Sequence, residues 1–333
     1  EWKRHRKVIN PIFNQTWNTE LFGECVRDVV SEWEKQAGSE IKVHDIIQRM
    51  TLDVFGRAIF DVNFDAVKDK SSRLYNLYND ITDKIAGQAL YLVAPFMEHV
   101  PYFRRHKLAQ QLNEYHEFVE EMIKIKKKQY HESSEKPKDL ITALIESNEK
   151  EVEFKLTNDE IRDNITIFIL AGHDTTSNTL STTLYYLARY PEIQDKLRKE
   201  VLEALGHPID LTTPTVDQLK NIHYMDMVNK ESMRIMATAG VLQRDTAQNH
   251  TLSNGLTIPK GTSLFLHLWG LHKNSSAFHK PDEFNPNRFS DFIAKKVFEF
   301  SINKINPDYE KLRITPFGIV RPLDLHLVIK LRQ

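Results

Sequence analysis

Ala171-Gly172-His173-Asp174-Thr175-Thr176-Ser177 interrupts an apolar helical run formed by Ile161, Ile165, Phe168, Ile169 and Leu170. Thr157 and Glu160, in the spacing of a capping box, mark where that run starts. Glycine inside a helix costs roughly 0.5–1 kcal/mol relative to alanine, and a buried carboxylate needs a partner or a water to stay charged. Something must compensate. Gly172 leaves a bare patch of backbone against which a flat ligand could lie. Thr175 can bond back to the carbonyl of Ala171, loosening the helix and opening space for a water beside Asp174. A kinked core helix with a satisfied Asp174 and Thr175 accounts for the same residues. The motifs further along the chain bear on the choice.

A second helical run, from Thr215 through Met236, carries Glu231-Ser232-Met233-Arg234. Residues at i and i+3 share a helix face, so Glu231 and Arg234 can pair, although a solvated surface helix shows the same pattern. Arg288 follows in Pro286-Asn287-Arg288-Phe289, after a loop containing Pro281 and Asp282, and Pro316-Phe317-Gly318 stands near the end. Taken in this order, the four motifs resemble the cytochrome P-450 superfamily of haem-thiolate monooxygenases. Glu1-Trp2-Lys3-Arg4-His5-Arg6 is similar to the family's W-x-x-x-R helix. Met50 to Ala66 (MTLDVFGRAIFDVNFDA) is similar to its eukaryotic, membrane-associated branch.

The resemblance implies roles residue by residue. Asp174 and Thr175 are the expected proton-delivery pair, working through an ordered water. Ala171 and Gly172 are expected on the haem face. Trp2 and Arg6, one turn apart, would hold a haem propionate. Arg244, in Val241-Leu242-Gln243-Arg244, would reach a propionate from a strand, a plain surface arginine being the alternative. Glu231, Arg234 and Arg288 match a buried, structural ion-pair triad. Arg321 resembles a haem-contacting arginine that arrives one residue early. Haem (heme b) is the implied cofactor, an NADPH-dependent reductase the implied partner and a lipophilic small molecule the implied substrate. For the full-length parent the implied location is the cytoplasmic face of the endoplasmic reticulum membrane.

One departure bears on activity. The family's F-x-x-G-x-R-x-C-x-G loop points a thiolate at the iron, and thiolate donation is what favours O–O cleavage. Here the chain reads Pro316-Phe317-Gly318-Ile319-Val320-Arg321-Pro322-Leu323-Asp324-Leu325, and no cysteine follows. Leu323 to Gln333 is too short for the covering helix that the family places next. The expectation is an incomplete P-450 fold, truncated at both ends and inactive as written. It lacks the N-terminal part with its membrane anchor, and the ligand loop with its following helix. A frameshift, a missed splice junction or a local deletion explains the abrupt loss of match. The alternative is a haem-free remnant acting as a binding or regulatory protein. The one cysteine, Cys25, lies in the amphipathic run Leu21 to Val30 and reads as a buried, inert thiol. With no second cysteine there is no internal disulfide.

Histidines at 267 and 272 flank Trp269, but i, i+5 matches no zinc pattern, and no metal ligand is expected. Their segment, LFLHLWGLHKN, resembles a strand running into a short helix. His173 reads as a packing variant. Where the family usually carries prolines after the E-x-x-R helix, this chain has Ala237-Thr238-Ala239-Gly240.

The 333 residues, 41% hydrophobic with a formal net charge of −1, can bury a sizeable core. The fold expected is mainly α with a small β-sheet, in one domain over residues 1–333. Asn158 to Arg189 forms its long central helix, with paired helices after Pro191 and Thr215. Thr251 to Phe265 forms the sheet, with Thr257 to Thr262 reading as strand, turn, strand. Lys124 to Lys138 (KIKKKQYHESSEKPK) reads as a solvated helix end and loop. Glu132 and Glu135 interrupt its charge, so no nucleic-acid partner is expected. Ile165 to Gly172, the longest apolar run, falls far short of the about 20 residues that cross a bilayer. Neither a G-x-S-x-G elbow nor a phosphate-binding G-x-x-x-x-G-K-[ST] loop occurs.

Overall fold

Apolar residues repeat every three to four positions over most of the chain, and a helical fold follows from that spacing. A computed structural model describes residues 2–13, 19–86, 94–100, 105–133, 139–150, 155–205, 213–289, 298–302, 313–314, 322–323 and 326–331. Two compact units result. The first comprises Glu1–Gln36, Asp45–Ser177 and Asp210–Thr215; the second comprises Ala37–His44, Asn178–Ile209 and Val216–Gln333.

The first unit is built from α1 (Trp2–Phe13), α2 (Thr19–Lys35), most of α3 (Val43–Phe55), α4 (Arg73–Ala86), α5 (His106–Glu132), α6 (Leu140–Lys150) and the N-terminal part of α7 (Asn158–Arg189). The bounds of α7 are those expected from the sequence. Its start is the capping box: Glu160 N–H donates to Thr157 Oγ1 at 3.1 Å, and Thr157 N–H donates to Glu160 Oε2 at 2.7 Å. Ile161, Ile165 and Ile169 then enter the core at four-residue intervals, packed in one cluster with Leu140, Ile141 and Leu144 of α6 and Val119 of α5. His173 and Ser177 continue the same buried stripe. The stripe is therefore apolar in its first three turns and polar in the next two.

Helix α5 corrects the reading of Lys124 to Lys138. The helix continues through Glu132, and Lys126 is only 2% exposed because it falls on the stripe defined by Tyr115, Val119, Met122 and Tyr130. Its ammonium lies 2.9 Å from Asp61 Oδ2 and 3.4 Å from Asp139 Oδ2. Asp139 in turn caps α6 by accepting from the N–H of Thr142 at 2.9 Å. Pairing is what permits the burial. Residues 134–138 lie outside the described residues.

In the second unit, α8 (Pro191–Leu205) follows the C-terminal part of α7. The helical run expected from Thr215 to Met236 is two helices, α9 (Val216–Lys220) and α10 (Tyr224–Ile235). Glu200 of α8 accounts for the break, accepting from the N–H of His223 at 2.9 Å and of Tyr224 at 2.7 Å and so capping a new helix. Beyond it, β2 (Val241–Asp245) pairs antiparallel with β5 (Ser263–His267), and β3 (His250–Thr251) with β4 (Thr257–Ile258). β5 runs straight into α11 (Leu268–His272), the expected strand-to-helix passage. Phe284 stacks on Tyr186 of α7, with ring centroids 4.2 Å apart.

The C-terminal region, of which Leu323 to Gln333 is expected to be too short for a covering helix, is extended where it is described. It forms β6 (Phe298–Ile302), β7 (Arg313–Ile314), β8 (Pro322–Leu323) and β9 (His326–Leu331). β9 is the central strand of a three-stranded antiparallel sheet between β6 and β1 (Glu40–Lys42). Among the described residues no helix is long and apolar enough to cross a membrane.

Candidate functional site

Asp174 is 1% exposed on α7, and its Oδ1 accepts a 2.9 Å hydrogen bond from Gln48 Nε2 of α3. Around it the α7 backbone is crowded with hydroxyl donors. Thr175 Oγ1 donates to Ala171 O at 2.8 Å, Thr176 Oγ1 to Gly172 O at 3.0 Å, and Thr51 Oγ1 to His173 O at 3.1 Å. The back-bond from Thr175 is the one its position suggested. His173 sits in the core with Nδ1 2.6 Å from Ile169 O, its ring edge-on to Tyr78 at 4.4 Å, as suits a packing residue.

The glycine of this motif requires a correction. Gly172 does not offer bare backbone to a flat ligand, because the ring of Phe55 fills that space. A Cβ built on Gly172 would lie 2.1 Å from Phe55 Cε2. Ala171 is on the open side of the helix, one turn from Ile167, which is 50% exposed. The open, apolar strip of α7 is therefore Ile167, Ala171 and the partly exposed Thr175, without Gly172.

Of the residues expected around a propionate, Trp2 lies in α1 but its side chain is outside the described residues, as is the whole of Arg321. Arg6 is exposed on α1 in the first unit, and Arg244 is exposed on β2 in the second, donating to Gln243 O at 2.7 Å. Arg4 of α1 does reach α7. It forms an ion pair with Glu160 and also donates to Lys155 O. Sequence reasoning passed over Arg4 because the W-x-x-x-R pattern draws attention to Arg6.

Glu231, Arg234 and Arg288 come together within the second unit. Arg234 Nε donates to Glu231 Oε2 at 2.7 Å and its Nη2 to Oε1 at 2.9 Å, while Arg288 Nε donates to Oε1 at 3.1 Å. Glu231 is fully buried and Arg234 is 2% exposed. Such burial needs every guanidinium hydrogen placed. Backbone carbonyls do the rest: Arg234 Nη1 donates to His272 O at 2.8 Å, and Arg288 Nη2 to Lys280 O at 2.6 Å. Asn285 N–H completes Glu231 from the other side at 2.8 Å. These backbone partners carry no sequence signal, since any residue supplies a carbonyl.

Residues 1–318 match the family model described as Cytochrome P450. The chain belongs to the cytochrome P450 family. It is 31% identical over 307 residues to cytochrome P450 3A11 of Mus musculus, an alignment covering 87% of this chain and 59% of that protein. To cytochrome P450 4Z1 of Homo sapiens it is 28% identical over 320 residues, covering 90% of this chain and 61% of the relative. The chain thus spans about three fifths of the length of these relatives. In fold it is similar to the crystal structure of a cytochrome P450 (CYP102L1), with a TM-score of 0.83 and 20% identity over 100% of this chain and 82% of that one. The mainly helical P450 fold with small sheets is the architecture of this chain.

Membership of the P450 family implies haem, so the chain's own donors decide whether a haem thiolate fits. Its single thiol is Cys25 on α2, packed in the interior with Val29, Val30 and Trp33 of the same helix. Burial pushes this thiol up to about 11, against the nearby Arg57 guanidinium, which lowers it. A thiol held neutral inside a helix bundle is no ligand, and thiolate ligation does not fit these residues. Among the described residues no group of three His, Cys, Asp or Glu is arranged to hold a metal ion.

Proposed function

We propose that this chain carries the proton-handling and structural framework of a cytochrome P450 monooxygenase, an enzyme that inserts an oxygen atom from O2 into a lipophilic small molecule, without itself supplying the iron thiolate. The observation that carries the reading is the pairing on α7 of a buried, hydrogen-bonded Asp174 with Thr175, beside an open apolar strip of Ala171 and Ile167. Thr175 gives its own hydrogen to Ala171 O, so toward a water on the open side it acts as an acceptor. Asp174 stands one residue away, its carboxyl held by Gln48, in the position of a general acid or base. Trp2, Arg6, Ala171, Arg244 and Arg321 are the residues assigned to haem contact; Glu231, Arg234 and Arg288 hold the scaffold. For the whole protein the same reading gives an NADPH-dependent reductase as electron donor and the endoplasmic reticulum membrane as location.

A second reading, a haem-free binding or regulatory protein, draws on the burial of Cys25, the chain's one thiol. Spectroscopy separates the two. Purified with haem supplied, reduced and exposed to carbon monoxide, the chain is expected to give no thiolate-type band; such a band would overturn the proposal. Haem uptake without that band favours the first reading, and binding of lipophilic ligands with no haem uptake favours the second.

A further inference from the structure

The hydroxyl of Tyr75, on α4, faces more acceptors than it can serve. Its one hydrogen meets Asp45 Oδ1 at 2.8 Å, Gln48 Oε1 at 3.1 Å and the Asp45 carbonyl at 3.3 Å. Gln48 bridges this hydroxyl to Asp174, with Nε2 toward the acid and Oε1 toward the tyrosine. Both Gln48 and Tyr75 are buried, whereas the Asp45 side chain is 49% exposed. The line of contacts therefore runs from the interior acid to the surface.

A primary amide donates at one end and accepts at the other, so its two ends cannot change independently. When Asp174 is ionised, Nε2 faces it, Oε1 faces Tyr75, and the tyrosine hydrogen is drawn to Oε1. When Asp174 carries a proton, that proton is a donor and wants Oε1. The amide then turns, Nε2 donates to the Tyr75 oxygen, and the tyrosine hydrogen goes wholly to Asp45. We propose that Gln48 is a positioning residue for Asp174, and that the turning of its amide couples the proton on Asp174 to the Tyr75–Asp45 hydrogen bond at the surface. One proton enters at Asp174 from water, the tyrosine hydrogen changes its acceptor, and no bond to hydrogen in Gln48 breaks.

The surroundings suit this role. Burial first, and then the Asp45 carboxylate, hold the Tyr75 hydroxyl well above the usual phenol range, so it keeps its hydrogen in both states. The groups facing the Tyr75 hydroxyl are Asp45 and Arg49 from α3 and Asn79 from α4. Arg49 lies 3.9 Å over the Tyr75 ring and 3.1 Å from Asp45 Oδ2, fixing the surface acceptor. The proposal rests on Asp174 as the proton-holding group of the P450 reading, and its test needs no haem.

The test is NMR on the full chain, with tyrosine labelled at Cζ, aspartate at Cγ and the glutamine amide at nitrogen, followed as the pH is lowered for as long as the chain stays folded. The Tyr75 Cζ signal is expected to show two steps, one with Asp45 and one with Asp174. D174N and Q48M should each lose the second step and keep the first, which also reports that the fold is intact. A Tyr75 profile in D174N or Q48M like that of the parent chain would overturn the proposal. Should Q48M fail to fold, the Gln48 side-chain 15N signal of the parent chain decides: it must shift with Asp174, and a constant signal overturns the coupling. Absence of haem binding would leave these titrations untouched, and their failure would leave the P450 assignment standing.

Discussion

The ring of Phe55 occupies the space where a side chain on Gly172 would go, and it decides what that glycine is for. Replacing Gly172 by alanine gains about 1 kcal/mol of helix propensity but drives a methyl into a ring that stands 2.1 Å from its position. Overpacking of this kind costs typically about 1–3 kcal/mol, so Gly172→Ala is expected to lower the urea midpoint, with Phe55→Leu in the same chain recovering part of the loss. Equal midpoints for the single and double variants would show that the ring moves freely. At the triad the sign is less finely balanced. Glu231→Ala strands Arg234 with only backbone carbonyls and removes the carboxylate from Arg288, and breaking a buried pair in this way costs about 3–5 kcal/mol. Equilibrium denaturation measures it, and a loss below 1 kcal/mol, the typical scale of an exposed pair, would mean that water reaches the site.

At the scale of elements, the start of α7 joins two local devices, the capping box and the ion pair with Arg4 of α1. The Arg4 guanidinium, and then the Thr157 N–H, hold the Glu160 carboxyl down to about 2 against an ordinary 4.5. A depressed acid stabilises the folded state fully above the unfolded value, so this contribution is present above about pH 4.5 and is lost as pH falls from there to about 2. Glu160→Gln should flatten the acid limb of thermal unfolding followed by circular dichroism, and an unchanged limb would remove Glu160 from the account. The capping box and the bounds of α7 were legible in the sequence because both depend on spacings of three and four residues. Gln48 against Asp174 was not legible, since the two stand 126 residues apart and a glutamine on an amphipathic helix carries no signal of its own. Lys126 was misread for a related reason: its neighbours are charged, and only the longer stripe of Tyr115, Val119, Met122 and Tyr130 shows that it faces inward.

For the molecule as a whole, the P450 fold was legible from the order of four short motifs, while the C-terminal strands were missed. His326 to Leu331 alternates too briefly to announce a strand, and β9 exists because β1 and β6 supply partners on both sides. Cys25 offers a reporter of opening in this fold. Its thiol is buried and pushed up to about 11, so at mildly alkaline pH a disulfide reagent should find no reactive thiol in the native chain and the full one in denaturant. Rapid native labelling would show that α2 leaves its packing easily. The unbroken course of α7 also sets a rule for the gene. One codon inserted between those for Glu160 and Asp174 would leave the carboxylate with Arg4 in place, yet rotate everything downstream by about 100° and advance it by about 1.5 Å. Asp174 would swing away from Gln48, and Ser177 would leave the buried stripe that the isoleucines begin. Substitutions along this helix can be tried one at a time by evolution; a change in its length cannot.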